Sequence, residues 1–174
     1  MIAAAKTAAV VFAVDQVTKL VVVRLLDLDR VGRIDVIPPF LSFRMAWNEG
    51  INFGLLASSH DLARWALILL ALGISTWVWL WVRREPHSTR VQLSAGLLIG
   101  GALGNVVDRL IYGAVADFLN TSLPGWENPY SFNVADIAIF FGAVGLVLFT
   151  GKADGKAEAK PVPPMPARRR DKTP

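Results

Sequence analysis

Apolar residues gather into four long windows along the chain, at residues 3–26, 62–82, 91–112 and 134–150. A hydrocarbon core about 30 Å thick takes roughly 20 residues of helix, so the pattern predicts four membrane-spanning helices. The second window is nearly pure Leu, Ala, Ile and Trp. The first is interrupted by Lys6, Asp15, Gln16 and Lys19. Asp15 and Lys19 break the apolar core that a cleaved leader would keep, so this window is expected to be a retained span. They stand four apart on one helical face with the acid N-terminal, the arrangement of an ion pair. The third window is rich in glycine through Gly96, Gly100, Gly101 and Gly104, and small residues let helices approach closely in lipid. The fourth is short and carries Asp136 near its start.

The polar stretches complete the plan. Between the first two windows, Ile34-Asp35-Val36-Ile37, then Pro38-Pro39, then Phe40-Leu41-Ser42-Phe43-Arg44-Met45 predict short strands around a proline turn. Arg83, Arg84 and Arg90 fill the second connection, and Lys152, Lys156, Lys160, Arg168, Arg169, Arg170 and Lys172 follow the last window. Lys and Arg near span ends accumulate on the cytoplasmic side, which puts both termini there and the strands outside. The first connection also holds Arg30, Arg33, Arg44 and Arg64, diluted by Asp27, Asp29, Asp35, Glu49 and Asp61. The fold class expected is therefore an all-α membrane protein: one domain of four transmembrane helices over residues 1–150, with a small extracytoplasmic β-sheet. Residues 151–174, rich in Ala, Lys and Pro, have too few large apolar side chains to pack and are expected to be a disordered basic cytoplasmic tail.

Composition narrows the classes further. In 174 residues, 53% are hydrophobic and the mean hydropathy is +0.44, which excludes an ordinary soluble domain. The net charge of +4 sits in clusters beside apolar segments, where topology explains it without a nucleic-acid partner. With no cysteine there is no disulfide, thiolate nucleophile or thiolate metal site.

An ionisable group within a span costs a few kcal/mol and marks a functional candidate unless a partner explains it. Asp15 has Lys19, which favours a structural role. Asp108 has Arg109 beside it and Asn105 three residues earlier, so a satisfied polar cluster and a functional role stand level. Asp117 and Asp136 differ, because residues 118–135 contain no Lys, Arg or His. Asp117 follows the third window and Asp136 opens the fourth, so the loop between them returns to the same face and brings both carboxyls to similar depth. Two close carboxyls in a poorly solvated site hold one proton between them. An aspartyl peptidase works from that state: the ionised member takes a proton from water while the protonated one stabilises charge on the scissile carbonyl. A proton or cation path would use the same acids, strung across the bilayer rather than converging, and a non-catalytic scaffold is a third alternative. No G-x-S-x-G or H-E-x-x-H occurs. His60 and His87 lie in connections on opposite sides, and no lysine stands between Lys19 and Lys152, which disfavours zinc and Ser–Lys chemistry. No metal or cofactor is expected. Trp65, Trp77, Trp79 and Trp81 fit interface anchoring.

Several ordered blocks resemble the type II, or prolipoprotein, signal peptidases of bacteria. They are Asp15-Gln16-Val17-Thr18-Lys19, Asn48-Glu49-Gly50-Ile51-Asn52-Phe53-Gly54, Gly100-Gly101-Ala102-Leu103-Gly104-Asn105 running into Asp108-Arg109, Gly113 with Val115-Ala116-Asp117-Phe118, and Phe132-Asn133-Val134-Ala135-Asp136. The resemblance implies a catalytic pair at Asp117 and Asp136. It implies site-lining or supporting roles for Asn48, Gly50, Gly101, Asn105, Arg109 and Asn133, and structural polar roles for Asp15, Lys19 and Asp108. The implied substrates are prolipoproteins whose lipobox cysteine already carries diacylglycerol, cut just before that cysteine. A monomer in the inner membrane is expected, in contact with lipid and with its active site near the outer face. Ile51 and Asn52 stand where the family has small residues such as Ala, and Ala116 replaces a usual Val.

Overall fold

The computed structural model describes residues 1–50, 60–84 and 86–150. The expectations for the 151–174 tail and for Ile51 and Asn52 lie outside the described residues.

Helix α1 (Ile2–Lys19) continues into a π-helical turn at Leu20–Leu25, followed by Asp27 at φ 57 and the short α2 (Leu28–Val31). Strands β1 (Arg33–Ile37) and β2 (Leu41–Asn48) follow, then α3 (His60–Arg84) and α4 (Thr89–Tyr112), β3 (Val115–Thr121) and α5 (Val134–Thr150). The proline turn is present between β1 and β2, closed by a hydrogen bond from Phe40 N to Ile37 O at 2.7 Å. Helix α4 starts two residues before its apolar window because Ser88 caps it, its hydroxyl accepting from Val91 N. It ends at Gly113, whose φ of 83 is open to glycine at low cost.

Helix α4 is the centre of the bundle, with α1, α3 and α5 packed around it. Its glycines make this packing close. A Cβ on Gly100 would meet Ala8 O of α1 at 2.5 Å, and one on Gly101 would collide with Ala135 O of α5. On a third face, Val91, Ala95, Leu98 and Ile99 form a core cluster with Val78 and Val82 of α3. The distribution of polarity is inverted relative to a water-soluble protein: Asp15 and Asp108 are buried, while Leu69 and Trp77 of α3 and Phe140, Phe141 and Val147 of α5 are exposed. Among the described residues two helices, α3 over Asp61–Arg84 and α4, are long and apolar enough to cross a membrane, while Val134–Thr150 is a shorter apolar helix.

The sheet has the order β1-β2-β3, antiparallel throughout. Its first two strands match the sequence pattern. The third does not come from the first connection at all: β3 follows α4, and carries Asp117 into the sheet. Val115, Ala116, Asp117 and Phe118 are consecutively buried, so β3 lacks the polar–apolar alternation that marks a half-exposed strand. Phe118, edge-on to Phe43 at 5.9 Å between ring centroids, packs with Val22, Val23 and Leu28, so the base of the sheet rests on the π-helical end of α1.

Candidate active site

Strand β3 presents Asp117 to both of its neighbours. On one side Ala46 pairs with Asp117 and Asn48 with Val115, making Asn48 the diagonal, same-face neighbour of the acid. Its Nδ2 donates to Asp117 Oδ2 at 3.1 Å. The other end of that amide is held by a local turn, Gly50 N donating to Asn48 Oδ1 at 3.0 Å, with Gly50 at φ 99. A left-handed backbone there costs a side-chain-bearing residue roughly 1–2 kcal/mol, and a Cβ would also meet Leu67 Cδ1 at 2.6 Å.

On its other side β3 meets the chain returning to α5. Phe118 N and Leu119 N both donate to Phe132 O, and Phe132 N donates to Leu119 O at 2.9 Å. The loop between is held by Asn120, whose Nδ2 donates to Asn128 O and Tyr130 O, each at 2.8 Å. Asn133 is thereby delivered beside Asp117, with Nδ2 donating to Asp117 Oδ1 at 2.6 Å.

Asn133 is also the N-cap of α5. Asp136 N donates to Asn133 Oδ1 at 2.9 Å and Asn133 N to Asp136 Oδ2 at 3.2 Å, the reciprocal pattern of a capping box. One asparagine therefore holds both acids, its amide on Asp117 and its backbone on Asp136. Asn105 of α4 closes the ring, its Nδ2 donating to Asp136 Oδ1 at 2.9 Å and its Oδ1 accepting from Asn133 Nδ2 at 3.2 Å.

The electrostatics of the two acids differ. Burial pushes the Asp117 carboxyl up to about 6, the charge of Asp136 adds to the rise, and hydrogen bonds from Asn48 and Asn133 with the charge of Lys19 oppose it. Asp136 lies in the first turn of α5, where the helix dipole favours an anion. Arg109 reaches Asn105 O with Nη1 at 3.3 Å, and its charge acts on Asp136, Asp117 and Asp108. Its buried Nε has no hydrogen-bond partner among the described residues.

Behind this ring lies a second cluster. Lys19 Nζ is 2.8 Å from both Asp15 Oδ2 and Asp108 Oδ2, and Gln16 Nε2 reaches Asp15 Oδ2 at 3.2 Å and Asp108 Oδ1 at 3.1 Å. The expected Asp15–Lys19 pair is present, but shared with a second acid. The partners of Asp108 are Lys19, Gln16 and the Ala116 amide, so Arg109 is not the neighbour that satisfies it: consecutive helical residues point in different directions. The absence of cations between Asp117 and Asp136 in sequence also does not leave them without positive charge, because Arg109 and Lys19 arrive from α4 and α1. Gln16 and Asn120 had no role assigned from sequence. Gln16 falls within a recognised block, whereas nothing local marks Asn120. Among the described residues, no group of three or more His, Asp or Glu side chains is arranged to hold a metal ion.

Gly101 takes no part in hydrogen bonding at the site. Its missing side chain lets the first turn of α5, and Asp136 with it, close onto α4. The structure thus brings the six residues into one centre, in which Asp117, Asn105 and Asn133 are buried, Asp136 and Arg109 half-buried and Asn48 exposed at the rim, with Gly50 and Gly101 shaping its supports.

The chain is thus an apolar-faced helical bundle under a cap of strands, with two carboxylates linked through one asparagine where they meet. The same architecture occurs in a solved bacterial membrane enzyme crystallised by the in meso method: TM-score 0.68, 26% identity, covering 91% of this chain and 93% of the other. The family model described as signal peptidase (SPase) II matches residues 7–151. A lipoprotein signal peptidase of Methylobacterium radiotolerans is 41% identical over 132 residues, 75% of this chain and 76% of that protein. One from Methylobacterium sp. is 39% identical over 153 residues, 88% of this chain and 91% of the relative. The chain belongs to the signal peptidase II family, and is a peptidase of that kind.

Proposed function

We propose that the chain is a four-span inner-membrane aspartyl endopeptidase that removes the signal peptide from diacylglyceryl-modified prolipoproteins, cutting just before the lipidated cysteine. The family carries the assignment to prolipoprotein processing. The aspartyl mechanism rests on one observation: Asn133 bonds both Asp117 and Asp136, at 2.6 and 3.2 Å.

In this mechanism Asp136, surrounded by N–H donors at a helix N-terminus, is the ionised partner and Asp117 holds the proton. Water attacks the scissile carbonyl carbon as Asp136 takes its proton, and Asp117 donates a hydrogen bond to the carbonyl oxygen. Collapse of the tetrahedral intermediate breaks the C–N bond, and the proton on Asp136 passes to the departing cysteine amine. The signal peptide leaves with a new carboxylate. Neither metal nor cofactor enters these steps, and a single copy of the chain supplies every group.

Placement of the site near the outer face is supported by charge. Arg83 and Arg84 end α3 and Arg90 opens α4, while Asn105, Asp108 and Arg109 lie at the opposite end of α4. By the charge-bias rule this supports a cytoplasmic basic connection and cytoplasmic termini, with the acids toward the other face. A transmembrane proton path is disfavoured by the same geometry. Asp15 and Asp108 bond the peptide groups next to Asp136 and Asp117, so the four acids gather at one level instead of spanning the bilayer.

The test uses purified protein in liposomes with a diacylglyceryl-modified precursor, read as a mass loss equal to its signal peptide. Asp117→Asn and Asp136→Asn are each expected to abolish that product while the protein elutes as a folded species. Retained cleavage in either variant rejects the pair.

A further inference from the structure

The buried Asp15–Lys19–Asp108 cluster has an unexplained regularity. Asp15 Oδ1 accepts from Ala135 N at 3.0 Å, and Ala135 immediately precedes Asp136. Asp108 Oδ2 accepts from Ala116 N at 3.2 Å, and Ala116 immediately precedes Asp117. Each structural carboxylate therefore grips the peptide group at the base of one proposed catalytic acid. Lys19 Nζ joins the two grips, at 2.8 Å from each. It also lies 3.4 Å from Asn105 Oδ1, on the residue whose Nδ2 bonds Asp136.

We infer that Lys19, acting through Asp15 and Asp108, is a positioning residue that sets the separation and orientation of Asp117 and Asp136. The inference rests on the aspartyl reading of the pair. The two acids come from different elements, a strand and a helix start, tied along the backbone through Phe132 just before α5 begins. Rigid-body drift of α5 against β3 would part them. A lysine bound to both peptide anchors opposes that drift through α1, which neither element contacts by way of the acids themselves.

Charge alone would not require this arrangement. Two carboxylates around one ammonium leave a net negative buried cluster, which is costly unless the remaining lone pairs are filled. They are filled by Gln16 and by the Ala116 and Ala135 amides. Ala135 N is in the first turn of α5, where helix N–H groups have no partner within the helix, so the carboxylate from α1 supplies one. The same hydrogen bonds that make the cluster tolerable thus fix the two acids.

Asp108→Ala and Asp108→Asn separate positioning from simple stabilisation. Both remove one charge and leave a neutral Asp15–Lys19 pair. The asparagine still offers an oxygen to Ala116 N and Lys19, with Gln16 turning its amide to accept, whereas alanine offers none. Steady-state cleavage of the diacylglyceryl-modified precursor should show kcat down about 10- to 100-fold in Asp108→Ala, the range for a displacement of about 1 Å at the reacting groups. KM should stay within twofold, and Asp108→Asn should recover most of the rate. Lys19→Gln is expected to lower kcat in the same way. Should it fail to fold, the Asp108 pair decides alone. The inference is overturned by a wild-type kcat in folded Asp108→Ala, even with a lowered melting temperature, or by equal losses in the alanine and asparagine variants. Asp117→Asn in the same assay keeps the two levels apart. Its activity would sink the catalytic pair, whereas an inactive Asp117→Asn beside a fully active Asp108→Ala would sink only the role of Lys19.

Discussion

Replacing Asn133 separates two jobs that one side chain performs. It is fully buried, caps α5 through Oδ1 and holds Asp117 and Asn105 through Nδ2. Losing an N-cap costs about 1 kcal/mol, and leaving buried hydrogen-bonding groups unpaired costs roughly 1–3 kcal/mol more. Asn133→Ala should therefore lose about 2–4 kcal/mol of stability. It should also lower kcat about 100-fold, because the direct bridge between the two acids is then gone and a displacement near 1 Å has that effect. Asn133→Ser separates the contributions. A serine caps a helix about as well as asparagine but is too short to reach Asp117, so it should regain about 1 kcal/mol over alanine and remain as inactive. The assays are thermal unfolding in a single detergent and steady-state cleavage of a diacylglyceryl-modified precursor, run on all three proteins. Wild-type turnover in the serine variant would refute the reasoning, since the bridge to Asp117 would then be dispensable.

The remaining predictions concern pH and packing. The Asp117 carboxyl is raised from 3.8 to about 6 in the fold, so between those values the native state holds a proton that the unfolded chain has released. Stability from this group is complete below pH 3.8 and is lost as pH rises through about 6, by up to about 3 kcal/mol. Asp117→Asn should flatten the fall in melting temperature over that window and be the more stable protein at neutral pH; parallel curves would contradict the raised carboxyl. Gly101→Val should push α5 from α4 against the Ala135 carbonyl, costing about 1–3 kcal/mol. It should also reduce cleavage, because Asp136 moves with α5, whereas Gly73→Val on α3, where an added Cβ meets nothing within 4 Å, should leave cleavage unchanged.

Much of the architecture was legible because its signals are local. Apolar windows mark α3, α4 and α5 through side-chain chemistry alone, and the four-residue spacing of Asp15 and Lys19 is enough to make their ion pair on one helix. Pro38-Pro39 between two β-prone runs marks the hairpin of β1 and β2. The acids themselves stood out as charges near apolar segments, since burying a charge is costly anywhere in the chain.

What tertiary structure alone decided is which partner each polar group has. Strand β3 exists because Val115–Thr121 lies between β2 and the Phe132 segment, and its consecutively buried run Val115–Phe118 leaves no alternation to recognise. Asp108 found Lys19 and Gln16 from α1 instead of its sequence neighbour Arg109, and Asn133 became the tie between two acids because the fold returned it to β3. Sequence by itself determined which residues resist water and which carry charge, because those are properties of single side chains. The pairing of charges and amides across 16 to 120 residues of chain is a property of packing, settled only once helices and strands are held within hydrogen-bonding distance of one another.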